Sequence, residues 1–205
     1  MSDLAAALAL VRSEELEERC RGVEELARIE GEAAASALAA LLAEPSWYLR
    51  DRVVEAIAAR PDAAPAVRRV LAGGSWFARA SACDALGRGR DPEALPALLQ
   101  AMEDRNVSLQ KSAAAAVRRL GERVGVECVA RELARLPAER RRRVITRLGH
   151  QEPHWIEAAE RALAALEPAN HSEPLEPAWS GGRAEVRALA RFRRWIAALP
   201  GGAAR

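Results

Sequence analysis

His150 and His154 stand four residues apart, the spacing at which two imidazoles on one helix face can grip a metal ion, and Glu152 and Glu157 lie close by. Pro153 falls between them, however, and a proline inside a helix removes a backbone donor and breaks the regular face that the pair would need. Cys20, Cys83 and Cys128 are widely spaced and offer no ligand within range. They read as small buried hydrophobes of a reducing compartment, not as disulfides or zinc ligands. No Gly-rich phosphate loop occurs, and no nucleophile is set beside a base. The expectation is a chain with no metal, no cofactor and no catalytic residue, and so not an enzyme.

Two further groups of residues could bind without reacting. Trp47 and Trp76 follow Ser46 and Ser75 in matching segments, and aromatics held side by side can receive a flipped base or a cationic group. Packing between neighbouring units is the plainer account of both. The second group is basic: Arg118, Arg119, Arg123, Arg131, Arg135, Arg140 to Arg143 and Arg147. Four consecutive arginines point in different directions around a helix, so Arg140 to Arg143 cannot form one face. Some must pair with acids or enter solvent, and the rest could meet an acidic protein or nucleic-acid phosphates.

The elements that position these residues repeat. Ser46-Trp47-Tyr48-Leu49-Arg50 returns 29 residues later as Ser75-Trp76-Phe77-Ala78-Arg79, and 31 further on as Asn106-Val107-Ser108-Leu109-Gln110. At the same offsets Val23, Val54, Cys83 and Ala114 form one apolar column, and Leu26, Ile57, Leu86 and Val117 another. Leu38, Val67 and Leu98 align in a following helix, as do Leu42, Leu71 and Met102, so each period is a helical hairpin. A fifth unit follows less regularly, with Arg141, Ile145 and Leu148 in register and a second helix expected from about His154 to Leu166. Ser46, Ser75 and Asp91-Pro92 have the chemistry of helix starts, and Gly73-Gly74, Gly121 and Gly149 that of helix stops. One column, Arg19, Arg50, Arg79 and Arg141 with Gln110 between, places a guanidinium within reach of the acidic turn or helix ends of the preceding unit.

Composition agrees with an all-α chain. Half of the 205 residues are hydrophobic but aromatics are only 4%, and Ala and Leu supply most of the rest. Residues 1–44 hold ten acids and four bases, whereas 104–150 hold five and twelve, a polar layout that suits a charged partner or head-to-tail contacts. Lys111 is the single lysine beside thirty arginines, which speaks of a GC-rich genome more than of phosphate binding. No apolar run reaches the roughly 20 residues of a membrane span, and Met1-Ser2-Asp3 lacks the basic start of a secretory signal. A cytoplasmic protein is expected. Residues 167–183, rich in Pro and Gly, read as a linker or loop; 184–199 as an amphipathic helix that caps or docks; 200–205 as a disordered tail.

From Leu86 to Leu120 the chain resembles the bacterial HEAT-like repeats first recognised in phycobilisome lyases. The motif is carried by Leu86-Gly87, then Asp91-Pro92-Glu93-Ala94-Leu95-Pro96-Ala97-Leu98-Leu99, Glu103-Asp104 and Ala113-Ala114-Ala115-Ala116. The resemblance implies an armadillo-like, right-handed α-solenoid over residues 1–166, of about five hairpins with a capping helix near residues 2–11. Such proteins serve as scaffolds, adaptors, bilin-lyase subunits and DNA glycosylases; the last use Trp and Asp in a concave groove, which points to Trp47 and Asp51. The leading expectation is a non-catalytic scaffold whose second helices line a groove for an acidic protein partner, through Arg69, Gln100, Arg131 and Arg135, with Arg142 and Arg143 beside them. The alternative is a nucleic-acid protein of glycosylase type using the basic 104–150 region.

Overall fold

The computed structural model describes residues 4–150 and 152–166. Every regular element among them is helical. The α-helices are α1 (Leu4–Leu10), α2 (Leu16–Arg28), α3 (Glu32–Ala40), α4 (Trp47–Ala58), α5 (Ala64–Gly73) and α6 (Trp76–Arg88). They continue as α7 (Leu95–Ala101), α8 (Val107–Val124), α9 (Val126–Ala134), α10 (Ala138–Leu148) and α11 (His154–Leu166). The expected linker, C-terminal helix and tail at 167–183, 184–199 and 200–205 lie outside the described residues.

Local chemistry sets most of the boundaries. Ser46 Oγ accepts the Leu49 amide and Asn106 Oδ1 accepts that of Leu109, so equivalent polar residues start α4 and α8. Ser75 occupies the matching position of α6, but its hydroxyl makes no capping bond. Asp91 caps the short 3-10 turn Pro92–Ala94 through the Glu93 amide. Pro61 and Pro92, shortly beyond the ends of α4 and α6, cannot continue the hydrogen-bond ladder and instead open the 3-10 turns that lead into the next helices. No proline follows α8, which therefore runs on past Gly121 to Val124. The stop is instead Gly125, whose φ of +93° is the left-handed conformation that favours glycine.

Gly121 serves packing. A Cβ there would fall 2.5 Å from the Trp155 ring, so the missing side chain is what admits the indole of α11 against α8. The expected helix stop is thus a contact point, and the reason lies in a helix 34 residues away that local punctuation does not reveal.

Helices alternate between two layers. α2, α4, α6, α8 and α10 pack in series, as do α3, α5, α7, α9 and α11. Between the layers α2 packs on α3, α8 on α9 and α10 on α11, and α3, α5 and α7 pack on the first helices that follow them, α4, α6 and α8. α1 lies against α2, where Gly22 lets Val11 come close. The aligned columns form the buried seam: Leu26, Leu38, Leu98 and Val117 are wholly inaccessible, and Val23, Val54, Cys83 and Ala114 are buried beside them. Such a hairpin cannot bury its apolar stripe alone, so stability comes from neighbours.

Candidate interaction surface

The arginines divide by what their guanidinium groups touch. In the repeated column, Arg50 donates to the Pro45 carbonyl at 2.9 Å and Arg79 Nε to the Leu71 carbonyl at 2.9 Å. Arg141 donates to Leu133, Ala134 and Leu136 carbonyls at 3.0–3.3 Å. All of these acceptors belong to the end of the preceding unit, where a helix leaves carbonyls unpaired and its dipole favours a cation. Arg79 also reaches forward, to Asp104 at 2.8 Å, and Arg19 reaches forward to Glu44 at 3.1 Å, both in the acidic turns that close their own units. Gln110 keeps the same reach without charge, donating to the Asp104 carbonyl.

Two buried arginines do the same work more deeply and stand outside that column. Arg60 is 9% exposed; its Nη1 donates to the Leu26 and Ile29 carbonyls at 2.8 and 2.6 Å, and Nε and Nη2 clasp Asp62 at 3.1 and 2.5 Å. Arg118 is 8% exposed, and its Nη1 donates to the Leu148 carbonyl at the end of α10 at 3.0 Å. The sequence held a signal for Arg118. It aligns with Ala27, Ala58 and Gly87, a column kept small by close helix approach, so a long cation placed there must run between helices.

The basic cluster is partly consumed in the same way. Arg119 pairs with Asp84, and Arg140 and Arg143 both pair with Glu103, the second at 3.2 Å. Burial pushes the Glu103 carboxyl up, but hydrogen bonds from Arg140 and Arg143 outweigh it and hold its pKa below the ordinary 4.5. The Asn106 amide and Arg79 likewise hold Asp104 below its ordinary range, and Arg60 does so for Asp62. Depressed carboxylate pKa values stabilise the fold above the unfolded values and lose that contribution as pH falls through the folded ones. The melting temperature should therefore drop as pH is lowered below about 4.5, and Glu103→Gln should flatten that drop in a thermal titration.

What remains open is mostly on α9 and α10. Arg131 is exposed, its Nη2 3.0 Å from Cys128 Sγ, and Arg135 is 73% exposed with a local partner, Glu132 at 2.6 Å. Arg142 is exposed and Arg143 half open beyond its Glu103 contact. On the other second helices Gln100 is exposed, and Arg69 faces Glu32 at 3.7 Å and Ser36 at 3.4 Å. Arg69 also borders an open cleft of about 920 Å³ between the α2–α3 and α4–α5 turns, where Arg28, Glu32 and Asp62 mix both signs of charge.

Trp47 and Trp76 are exposed, 72% and 53%, at the first turns of α4 and α6. Each stands edge-on to its neighbour, Tyr48 or Phe77, with ring centres 6.0 Å apart. Arg50 lies 5.5 Å over the Phe77 ring and ties the two units together. Asp51, one turn after Trp47, faces Arg88 at 3.5 Å. His154 begins α11 after Pro153, and its Nδ1 is 3.6 Å from Glu152. No group of three potential metal ligands occurs among the described residues. Cys83 is wholly buried, which pushes its thiol up to about 12, and Cys20 and Cys128 are half-buried free thiols. No described helix is long and apolar enough to cross a membrane.

Comparison with known proteins agrees with this architecture. The family model for HEAT repeats matches residues 35–118. Among solved structures, the crystal structure of an engineered protein from the Northeast Structural Genomics Consortium is similar at 19% identity, covering 82% of this chain and 98% of that one. The TM-score of that pair is 0.39. No curated protein matches the chain.

Proposed function

We propose that this chain, a HEAT-repeat protein through residues 35–118, is a non-catalytic scaffold that receives an acidic protein partner on the open arginines of its last two units. Five hairpins would stack over residues 1–166 into a short right-handed superhelix in the cytoplasm, with second helices forming the receiving groove. HEAT repeats typically serve protein interaction, and their rigid stacked helices suit a surface that must keep its shape. The observation that carries the reading is the contrast between Arg60, Arg118 and Arg141, spent on helix ends, and Arg131, Arg135 and Arg142, which face solvent. Arg131 in the last turn of α9 and Arg135 at its C-cap lie one turn apart, so both can meet one ligand face.

The test uses affinity capture from nuclease-treated native extract, comparing the wild-type chain with Arg131→Glu/Arg135→Glu. Captured acidic protein should fall at least about tenfold with the melting temperature unchanged, the size expected when two rim cations become like charges. Equal capture by both baits would remove the assignment. The basic stretch 104–150 also fits phosphates, and a mixed-sequence DNA duplex decides that rival. Binding that weakens steeply with salt would transfer the surface to nucleic acid.

A further inference from the structure

Among the described residues, the large hydrophobic side chains left exposed fall in one row, apart from Leu166 at the end of α11. Leu16, Trp47, Trp76 and Val107 occupy one repeat position, 31, 29 and 31 residues apart, at the first turns of α2, α4, α6 and α8. They are 39%, 72%, 53% and 59% exposed, and Tyr48, 45% exposed, sits beside Trp47. Because α2, α4, α6 and α8 pack in series, these side chains form an apolar ridge along one edge of the stack. An exposed apolar side chain repeated at the same place on four successive units of a charged chain marks an interaction surface.

We propose that the occupant is the chain's own segment 184–199, docked along the ridge as an amphipathic helix. Its apolar residues Val186, Leu189, Phe192, Trp195 and Ile196 recur at helical spacing. Leu189 and Ile196 would stand about 10 Å apart at 1.5 Å rise per residue, which matches the separation of about 8–10 Å between adjacent packed helices. A helix crossing the stack would thus meet one ridge side chain per repeat. Charge favours the same match. The segment carries Arg187, Arg191, Arg193 and Arg194 against the single acid Glu185, whereas exposed Glu14, Glu15 and Glu17 flank the Leu16 end of the ridge.

The tether is long enough. Residues 167–183 follow Leu166, the end of α11, and 17 residues can extend up to about 55–60 Å. Four steps between neighbouring first helices, from α10 back to α2 at the Leu16 end, need only about 40 Å. The docking does not depend on the arginine surface of α9 and α10, so either assignment can fail alone.

Hydrogen–deuterium exchange on the full chain tests it, with a synthetic 184–199 peptide as the unprotected reference. Amides of 184–199 should exchange at least about tenfold more slowly in the chain than in the peptide, the signature of a docked helix. Trp47→Ala/Trp76→Ala should return them to the peptide rate while α8 amides stay protected. Leu189→Glu/Ile196→Glu, which leaves every described residue untouched, should do the same. Exchange at the peptide rate in the wild-type chain would overturn the proposal, as would protection that survives both double variants. Protection that grows with protein concentration would overturn it too, by making a second copy the occupant.

Discussion

Replacing Arg60 by alanine is expected to cost about 2–3 kcal/mol of stability, the loss that follows when a buried, hydrogen-bonded cation is taken from its partners. Three acceptors lose the guanidinium at once: the Leu26 and Ile29 carbonyls, at the C-terminal end of α2, and the Asp62 carboxylate, with the Leu26 carbonyl left only the Ile29 amide at 3.3 Å. The Leu26 contact is buried, so water does not replace the guanidinium there, whereas Asp62 is half exposed and recovers part of its solvation. For a folded body of this size the melting temperature should fall by about 5–10 °C. Arg60→Met keeps the packed stem and isolates the polar contribution. Arg60→Lys keeps the charge but loses the planar fork that serves two carbonyls and a carboxylate together, and should recover only part of the loss. Chemical denaturation of these three variants measures all of this.

Gly87→Leu should destabilise by about 3 kcal/mol or more, from overpacking against atoms that cannot yield. A Cβ at Gly87 would fall 2.6 Å from Ala116 Cα and 3.0 Å from the Ala116 carbonyl oxygen, so the obstruction is the backbone of α8 rather than a movable side chain. Even Gly87→Ala should lower stability, although alanine in a free helix gains about 1 kcal/mol over glycine. The control is Gly73, at the last position of α5, where a Cβ meets nothing within 4 Å. There Gly73→Ala should be neutral or slightly stabilising. Opposite signs for the same substitution at two helical glycines would report the close approach of α6 and α8 directly.

These two predictions rest on residues of unequal legibility. The hairpin period was written in the columns from Val23 to Val117, because an apolar side chain recurring at a fixed offset has to face the same neighbour in every unit. Helix starts at Ser46 and Asp91 are legible because a cap is a local event between residues two or three apart, and the structure adds Asn106 at the position equivalent to Ser46. The Ser75 hydroxyl makes no such bond although its residue type and position match, which shows that a cap sequence permits the contact without compelling it. Gly121 was read as a stop from glycine's habits alone. Its actual role depends on Trp155 in α11, a contact between distant parts of the chain.

The arginines show the same divide. The repeated column Arg19, Arg50, Arg79 and Arg141 is expected to reach the preceding unit; the last three do place donors on carbonyls there, whereas Arg19 pairs with Glu44 in the turn that closes its own unit. Arg60 carries no signal in the sequence, because it sits in a turn with no counterpart cation in the next unit's register, where Gly89 stands. Nor could the sequence sort the basic cluster into stitched and open members, since pairing of Arg140 and Arg143 with Glu103 crosses from α10 to the turn after α7. Exposure of Arg131, Arg135 and Arg142 emerged only once that sorting was made.

The division of arginines is the centre of the account, and one measurement addresses it most directly: denaturation midpoints for single alanine substitutions at Arg60, Arg118, Arg141, Arg131, Arg135 and Arg142. The first three should fall well below wild type and the last three should stay within about 0.5 kcal/mol of it, as surface substitutions do. A uniform loss across all six, or no loss at Arg60 and Arg118, would contradict it.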